Sequence, residues 1–515
     1  MDNISTKPTI ATLGELRAAG YTYKTVKQEI RENLVKKLKN GEPSFEGIVG
    51  YENTVIPETE TALLSQHNIL YLGLRGQAKT RMARLMVHLL DEYVPVIAGS
   101  EINDHPLQPL SAFAKELIAE KGDATPIQWL HASERYGEKL ATPDVSVADL
   151  IGDIDPIKAA NLKLSFANEQ VIHYGIIPKS NRGIFVINEL PDLQARIQVA
   201  LFNILQEGDV QIRGFKLRIP LDILFVFTAN PEDYTNRGSI VTPLKDRIES
   251  QILTHYPKEI KHALQITRQE ANILPSQQQV VQVHELIETL IEQIAFEARN
   301  NEYVDRKSGV SARLTIAAKE NAVSAAERRA LIFGEKKTQV WLSDVWGAIP
   351  AITGKIELVY EGEQEGPYQV SVNLLEKSIR TLFIQYFPNP EKQKKRKGTG
   401  KKSVDEQAPE VNVYRAITQW FDEGNSISLH GQTTDAEKME KLYSVNGLYG
   451  CVTKYYPQVS EQELGLLMEF LLHGLASYSL ISKQQSEEGA LIFKDLMGSM
   501  LGMGNFSDDF TDDDN

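Results

Sequence analysis

The chain has 515 residues, of which 42% are hydrophobic and 24% are charged, and its formal net charge is −14. Because a single hydrophobic core rarely grows beyond about 250–300 residues, this length predicts two to four domains. The acidic balance argues against a bulk electrostatic grip on nucleic acid or on an anionic membrane. The single cysteine, Cys451, excludes an intramolecular disulfide and a four-cysteine zinc site, and we expect it to fill a helical core.

Targeting and membrane signals are weak in this sequence. The first ten residues lack a basic segment followed by an apolar one, and no uninterrupted apolar run reaches 18 residues. We therefore expect a cytoplasmic protein without a membrane span.

Residues 1–43 are predicted to be a helical segment lying on a larger body. Val26, Ile30, Leu34 and Leu38 recur every four residues, and Gly41 stands where such a helix would end.

Residues 44–257 have the pattern of an α/β core with a parallel sheet. Three short apolar runs, Asn68–Leu72, Gly183–Ile187 and Asp222–Phe227, alternate with helical stretches. Strands that are apolar throughout are typical of a parallel sheet buried on both faces.

Two β-hairpins are predicted between these strands. In the first, Leu162–Phe166 would pair with Val171–Ile177 across a polar turn, and in the second, Val210–Ile212 would pair with Phe215–Ile219. Such two-stranded ribbons would project from the core.

The rest of the chain is predicted to be mainly helical. Residues 258–388 would form an all-helical lid, with strong periodicity in His284–Asn300 and Ala312–Phe333, and 412–495 a C-terminal helical domain, in which Ser460–Glu463 caps a long helix. The lysine-rich stretch 389–411 is interpreted as a flexible linker, with nucleic-acid contact as a minor alternative, and 496–515 as a disordered acidic tail.

The strongest chemical signal is the segment from Gly73 to Thr80, GLRGQAKT, placed between a strand and a helix. In this context backbone N–H groups and a helix N-terminus converge on an anion. Lys79 would pair with the β- and γ-phosphates of a nucleotide, and the Thr80 hydroxyl would ligate Mg²⁺. Ala78 stands where this pattern has glycine, and we expect it to fit only if its φ is negative.

Two further strands end in polar residues. Asn188 and Glu189 follow one apolar run, and Asn230 follows another. Burying such groups is costly unless they face a site, and ligands of doubly wound sheets bind at the carboxyl ends of strands. Asn188 would reach a metal-bound water without contributing charge, Glu189 would activate water, and Asn230 would help to orient it.

These residues resemble those of the AAA+ ATPases, in the branch of the magnesium-chelatase ATPase subunit and the MoxR-type proteins, from about Ser44 to Gly347. The resemblance implies an adenine contact by Ile48, Val49 and Gly50. It implies a helix-2 insert over 149–177 and a hairpin after Glu207. The residues that it implies for phosphate binding are Gly73, Arg75, Gly76, Gln77, Ala78, Lys79 and Thr80.

The same resemblance assigns roles to three further residues. Asn230 matches sensor 1, Arg247 matches the arginine finger, and Arg313 matches sensor 2 of the helical lid. Arg237 is a second candidate for the arginine finger. The alternative interpretation of Arg247 is an arginine that forms a surface salt bridge.

The resemblance implies ATP and Mg²⁺ as cofactors, a hexameric ring with sites between subunits, and a protein partner that has a von Willebrand A domain. Four functions stay open at this point. The first is a MoxR-like chaperone that remodels or matures a partner, with metal-cofactor assembly as one pathway, and the second is a metal-chelatase motor. The third is a nucleotide-binding scaffold with little hydrolysis, and the fourth is a DNA translocase, which only the basic linker and the predicted hairpins favour.

Overall fold

The structure is a computed structural model that describes residues 7–165, 168–212, 218–231, 239–391, 413–429, 433–485 and 491–496. The chain divides into two units, Met1–Tyr256 and Pro257–Asn515. Arg237, the linker from 392 to 411 and the tail from 497 onward lie outside the described residues. The finer division into six segments stays a prediction.

The strands of the first unit, in chain order, are β1 (Ile69–Leu72), β2 (Tyr93–Ile97), β3 (Ile127–His131), β4 (Tyr136–Leu140), β5 (Gly152–Ile154), β6 (Ile172–Tyr174), β7 (Gly183–Asn188), β8 (Asp209–Gln211), β9 (Arg218–Pro220), β10 (Ile223–Ala229) and β11 (Ser250–Leu253). Its α-helices are α1 (Leu13–Ala18), α2 (Val26–Asn40), α3 (Val55–Leu64), α4 (Lys79–Leu85), α5 (Ala112–Lys121), α6 (Val147–Leu150), α7 (Pro156–Leu162), α8 (Ile176–Lys179), α9 (Ala195–Ala200), α10 (Phe202–Glu207) and α11 (Thr242–Lys245). Short 3₁₀ helices span Met86–Leu89, Gly122–Ala124, Ala132–Arg135, Glu169–Val171 and Leu190–Asp192.

The second unit is mostly helical. Its α-helices are α12 (Ile260–Glu270), α13 (Pro275–Val280), α14 (Glu285–Asn300), α15 (Arg313–Phe333), α16 (Ile349–Thr353), α17 (Tyr360–Glu365), α18 (Pro367–Tyr386), α19 (Arg415–Asp422), α20 (Asp435–Ser444), α21 (Leu448–Tyr455) and α22 (Glu461–Ser477). A 3₁₀ helix spans Leu342–Ala348, and the strands are β12 (Val281–Gln282), β13 (Thr338–Gln339), β14 (Ile427–Leu429), β15 (Ser482–Gln485) and β16 (Leu491–Lys494).

A five-stranded parallel sheet forms the centre of the first unit, in the order β11-β1-β10-β7-β4. Every residue of β1, β7 and β10 is buried, which confirms the three strands predicted from continuous apolar runs. Because all five strands run the same way, their carboxyl ends meet at one edge. The predicted α/β fold with a parallel sheet is confirmed.

The two outer strands, β4 and β11, were not predicted. Each lies at an edge of the sheet and is only partly covered, so that Leu140 is 54% exposed and Leu253 is 63% exposed. A half-covered edge strand lacks the continuous apolar run by which the inner strands are recognised.

The first predicted hairpin is wrong in one of its strands. β6 is present, but it pairs antiparallel with β5 rather than with Leu162–Phe166. Asp155 caps α7 by accepting the N–H groups of Ile157 and Lys158, and Pro156 occupies the first helical position. These start signals favour a helix through Leu162 over an extended strand.

The second predicted hairpin is confirmed in its described strands. β8 and β9 are antiparallel, and Val210 lies opposite Ile219. Residues 213–217, where its turn was predicted, lie outside the described residues.

The N-terminal helix α2 is part of the first unit. It ends at Gly41, which has a φ of 69° as a left-handed helix cap, and this confirms the predicted stop. Its buried face packs in one core with Tyr71 of β1 and Val226 of β10. From that face Glu29 makes a two-pronged ion pair with Arg135, at 2.7 and 2.8 Å, and neither side chain is exposed to solvent.

The predicted helices of the second unit are confirmed at α14 and α15. One hydrophobic core there draws on residues from Val281 to Phe493 and includes the buried Cys451. Ser460 caps α22 by accepting the N–H of Glu463, as predicted. Among the described helices, none is long and apolar enough to cross a membrane.

The structure adds two small sheets to this helical unit. β12 pairs parallel with β13, and β14, β16 and β15 form an antiparallel sheet. Strands of two to four residues carry too little periodicity to be told from loops in a sequence.

Breaking the Glu29–Arg135 pair should destabilise the first unit. Glu29→Ala leaves a buried guanidinium uncompensated, at a cost of about 3–5 kcal/mol. Hydrogen–deuterium exchange of peptides from α2 and β7 measures the free energy of opening. Glu32→Ala is the matched control on the same helix, because Glu32 is 54% exposed and its ion pair with Lys24 is worth at most about 1 kcal/mol. Equal exchange in the two variants would contradict the prediction.

Candidate functional site

The loop between β1 and α4, with the first turn of that helix, is called the phosphate loop here and comprises residues 73–80. The Lys79 side chain is 7% exposed and folds over the loop, so that its Nζ donates to the carbonyl oxygens of Gly73 at 2.5 Å and Leu74 at 2.9 Å. A Cβ at Gly73 would lie 1.9 Å from Thr254 Oγ1 and 2.2 Å from Gln77 Oε1. Only glycine fits at this position.

Ala78 corrects the sequence prediction. Its φ is +56°, in the left-handed region, so the expectation of a negative φ is wrong. This conformation costs an L-residue about 1–2 kcal/mol and persists only where the surroundings enforce it. The helix that starts at Lys79 and the contacts of Gln77 hold the loop in this shape.

Three side chains from outside the loop hold it in place, two through its backbone carbonyls and one through the side chain of Gln77. The Tyr51 hydroxyl donates to the Gln77 carbonyl at 2.8 Å, the Tyr256 hydroxyl to the Arg75 carbonyl at 2.8 Å, and the Thr254 hydroxyl to Gln77 Oε1 at 2.7 Å. The predicted adenine segment, residues 48–50, is half-buried and directly precedes Tyr51. That segment is therefore anchored beside the phosphate loop through Tyr51.

A chain of hydrogen bonds joins the phosphate loop to the ends of β7 and β10. The Thr80 hydroxyl donates to Asn188 Oδ1 at 3.0 Å, and the Thr228 hydroxyl donates to the same oxygen at 3.0 Å. The N–H of Glu189 in turn donates to Thr228 Oγ1 at 3.2 Å. Two of the residues predicted to act on the metal, Thr80 and Asn188, are thus in direct contact.

Glu189 and Asn230 lie at the same edge of the sheet. Each is the first residue after its strand, β7 or β10, and these strands pair in parallel with Ile187 opposite Phe227. Glu189 has a φ of +55° and is half-buried, whereas Asn230 is 8% exposed. A non-glycine residue held in this conformation is typical of functional positions.

Glu138 of β4 belongs to the same cluster, and the sequence did not reveal it. Its Oε1 accepts from Asn188 Nδ2 at 2.7 Å, and Arg84 donates to both carboxylate oxygens at 2.9 and 3.0 Å. Burial favours the neutral acid, but hydrogen bonds from Arg84, Tyr136 and Asn188 outweigh it and hold the pKa of Glu138 below its ordinary value. Recognising β4 as a strand beside β7 would have been the signal for this residue.

The two predicted arginines lie elsewhere in the chain. Arg247 donates to Gln206 Oε1 at 3.0 and 2.9 Å and to the Pro243 carbonyl at 2.7 Å, and its guanidinium lies 4.9 Å from the centre of the Phe202 ring. These described partners lie outside the phosphate loop and the ends of β7 and β10. Arg313 is the first residue of α15, in the second unit. The roles of both arginines stay predictions.

The donor atoms at this edge fit a magnesium ion. Mg²⁺ prefers oxygen ligands and is commonly held by one or two protein oxygens together with substrate phosphates and water. Thr80 Oγ1 and Asn188 Oδ1 are such oxygens. Among the described residues, no cluster of three or more histidine, cysteine, aspartate or glutamate residues forms a metal cage. A bound Mg²⁺ would therefore depend on the phosphates of a nucleotide.

Sequence comparisons find similar proteins for the part of the chain that contains this site. The family model of the sigma-54 interaction domain matches residues 161–252, which include β7, β10 and β11. The magnesium-chelatase 38 kDa subunit of Cereibacter sphaeroides is 24% identical over 232 residues, and that of Rhodobacter capsulatus is 23% identical over 228. The chain is similar to the AAA+ subunits of magnesium chelatase.

The sequence matches cover only part of each AAA+ protein. They include 44% of this chain and span 63% and 59% of the two chelatase subunits. Two solved structures are also similar: a model of the complex between subunits BchI and BchD of magnesium chelatase (20% identity, TM-score 0.32, 62% of this chain and 98% of that chain), and NtrX from Brucella abortus (12% identity, TM-score 0.35, 71% and 69%). At such TM-scores these two structures do not bear on the function of this chain.

Adding a methyl group at Gly73 should disrupt the phosphate loop. Because its Cβ would overlap Thr254 and Gln77, Gly73→Ala should destabilise this region by about 1–3 kcal/mol. Hydrogen–deuterium exchange of peptides from β1 and α4 measures the change. Gly450→Ala is the control, since a Cβ there meets nothing within 4 Å. Unchanged protection of the loop in Gly73→Ala would contradict the described packing.

Proposed function

We propose that this AAA+ protein binds ATP with Mg²⁺ at the carboxyl edge of its parallel sheet and hydrolyses it. The observation that supports this most directly is the 3.0 Å hydrogen bond between Thr80 and Asn188. It joins the first turn of α4 to the end of β7, and so brings the phosphate loop next to a polar strand end. Such a meeting of loop and strand ends is where α/β sheets bind nucleotides.

Each residue has a chemical task in this proposal. Lys79 would exchange its bonds to the Gly73 and Leu74 carbonyls for bonds to the β- and γ-phosphates, while the loop N–H groups hold the phosphate oxygens. Thr80 and Asn188 would hold Mg²⁺, which neutralises charge on the phosphates when it is bound. Glu189 would orient or deprotonate the attacking water, with Asn230 assisting.

Arg247 would complete the site of a neighbouring subunit in a ring, which we propose to be a hexamer. Gln206 and Phe202 hold its guanidinium in a fixed position away from the phosphate loop of its own chain. An arginine fixed in this way loses little freedom when it meets a phosphate on another chain. Arg313 would contact the γ-phosphate from the helical unit.

The output we propose is ATP-driven remodelling or maturation of a partner protein, as in MoxR-type chaperones, in the cytoplasm. The partner would carry a von Willebrand A domain, and the pathway would be metal-cofactor assembly. The antiparallel hairpins β5/β6 and β8/β9 would transmit motion to this partner. A metal-chelatase motor is the closest alternative, because the similar subunits carry that name.

Asn188 favours a second candidate function, that of a nucleotide-binding scaffold with little hydrolysis. An amide at this position contributes no charge to the magnesium shell, so the ion would be held more weakly than by an aspartate. Measured turnover separates the two functions.

Steady-state ATP hydrolysis should depend on Lys79 and Glu189. Lys79→Ala removes the cation that binds the phosphates and should abolish turnover, whereas Glu189→Gln should keep binding and lower kcat by about 10²–10⁴-fold. The matched controls are Lys115→Ala and Glu120→Gln, both exposed on α5. Wild-type protein that is no faster than Glu189→Gln would favour the scaffold.

Mixing two inactive variants tests the shared site. Arg247→Ala and Glu189→Gln should each lose turnover, because an arginine finger is worth about 10³–10⁵ in rate. In mixed rings, an Arg247→Ala subunit beside a Glu189→Gln subunit regains both groups at one site, so ATPase activity should return. A mixture as inactive as its components would remove Arg247 from the site.

A further inference from the structure

The proposed magnesium site has a neutral side chain, Asn188, where a negatively charged side chain would bind the ion more strongly. Asn188 accepts the Thr80 hydroxyl bond but is neutral. The carboxylate of Glu138, on the adjacent strand β4, is in direct contact with this amide. The hydrogen bonds around the amide connect this carboxylate to the metal-binding oxygens.

The amide of Asn188 is oriented by its neighbours. The ionised carboxylate of Glu138 can only accept a hydrogen bond, so it takes the Nδ2 group, at 2.7 Å. The Thr228 hydroxyl accepts the N–H of Glu189 and therefore has its own proton left to donate to Asn188 Oδ1. With both ends of the amide assigned, Oδ1 faces Thr80.

The register of β4 against β7, together with the position of α4, brings Glu138, Asn188 and Thr80 together. Leu140 of β4 lies opposite Asn188 of β7, so Glu138 is two residues earlier on the neighbouring strand and on the same face of the sheet. Thr80 and Arg84 are four residues apart on α4 and share a face of that helix. Helix α4 therefore contacts both ends of the network, through Thr80 at Asn188 and through Arg84 at Glu138.

Glu138 is charged in this setting. The Arg84 guanidinium binds it in a fork, and the Tyr136 hydroxyl donates to it at 2.8 Å. Its side chain is 23% exposed and that of Arg84 is 62% exposed, so the arginine faces solvent more than the carboxylate does. A negatively charged carboxylate is thus hydrogen-bonded directly to Asn188, the proposed metal ligand.

We propose that Glu138 is a positioning residue of the magnesium site, whose carboxylate acts through the Asn188 amide to direct Oδ1 at the metal and to supply the charge that asparagine lacks. This inference rests on the proposed function. It implies that the pair Glu138–Asn188 does the work that a single aspartate does in other sites. It also implies that Asn188→Asp alone brings no gain, because two carboxylates at hydrogen-bond distance repel each other.

The test is the magnesium-dependent part of nucleotide affinity, which needs no turnover. The Kd of a fluorescent ADP analogue is measured with Mg²⁺ and with EDTA, and the ratio of the two values is compared between variants. Glu138→Gln keeps the shape of the side chain and an acceptor for Asn188 but removes the charge. We expect this variant to lose about 10–100-fold of the magnesium enhancement, as removal of outer-shell partners does.

A double variant separates a charge role from a structural one. The double variant Glu138→Gln/Asn188→Asp removes the carboxylate at position 138 and places one at position 188, next to the metal. The magnesium enhancement should therefore return towards the wild-type value. Glu101→Gln is the matched control, since Glu101 pairs with Lys158 at 2.8 Å outside this network and should leave the ratio unchanged. Affinity in EDTA should stay constant in all four proteins.

Three outcomes would overturn the inference. If Glu138→Gln has the same ratio of Kd values as the wild type, the charge of Glu138 does not contribute to magnesium binding. A reduced ratio that Asn188→Asp fails to restore would mean that Glu138 only supports the fold. Wild-type protein that binds the nucleotide in neither buffer would overturn the proposed function itself, and this result is distinguishable from the other two.

Discussion

The hydrogen bond between Thr80 and Asn188 is the contact on which the candidate site depends. It fixes the first turn of α4 against the end of β7, and β7 lies between β10 and β4 in the sheet. Through this contact the phosphate loop is held beside Asn230 on one side and Glu138 on the other. Ala78 and Glu189, which both have a positive φ, lie close in sequence to the two residues that this bond joins.

The network also changes how the asparagine is interpreted. An amide in place of a carboxylate argues for weak metal binding only if no other charge is near. Here Glu138 lies 2.7 Å from the amide nitrogen, and Arg84 and Tyr136 hold its pKa low. In our proposal, the choice between an ATPase and a scaffold therefore depends on Glu138 of β4, a strand without a recognisable sequence motif.

The sequence predicted the buried centre of the fold, whereas the roles of the candidate site residues stay predictions. Continuous apolar runs identify β1, β7 and β10 because these strands are covered on both faces, and the polar residues after them fall at one edge. The sequence did not predict the edge strands β4 and β11, the short strands β14, β15 and β16, or helix α7. A local sequence pattern does not encode partial burial or a distant partner. The sign of the Ala78 φ and the place of Glu138 depend on contacts with residues far away in sequence.

The most direct test of the account is calorimetric titration of ATP, with Mg²⁺ and with EDTA, into the wild-type chain and into Thr80→Ala. Thr80→Ala removes the hydroxyl that joins α4 to Asn188 and leaves Lys79 and the loop backbone in place. The account predicts that the wild type binds ATP more tightly with Mg²⁺ than with EDTA, and that Thr80→Ala loses this difference while it still binds in EDTA. Absence of binding in the wild type, or an undiminished magnesium effect in Thr80→Ala, would contradict it.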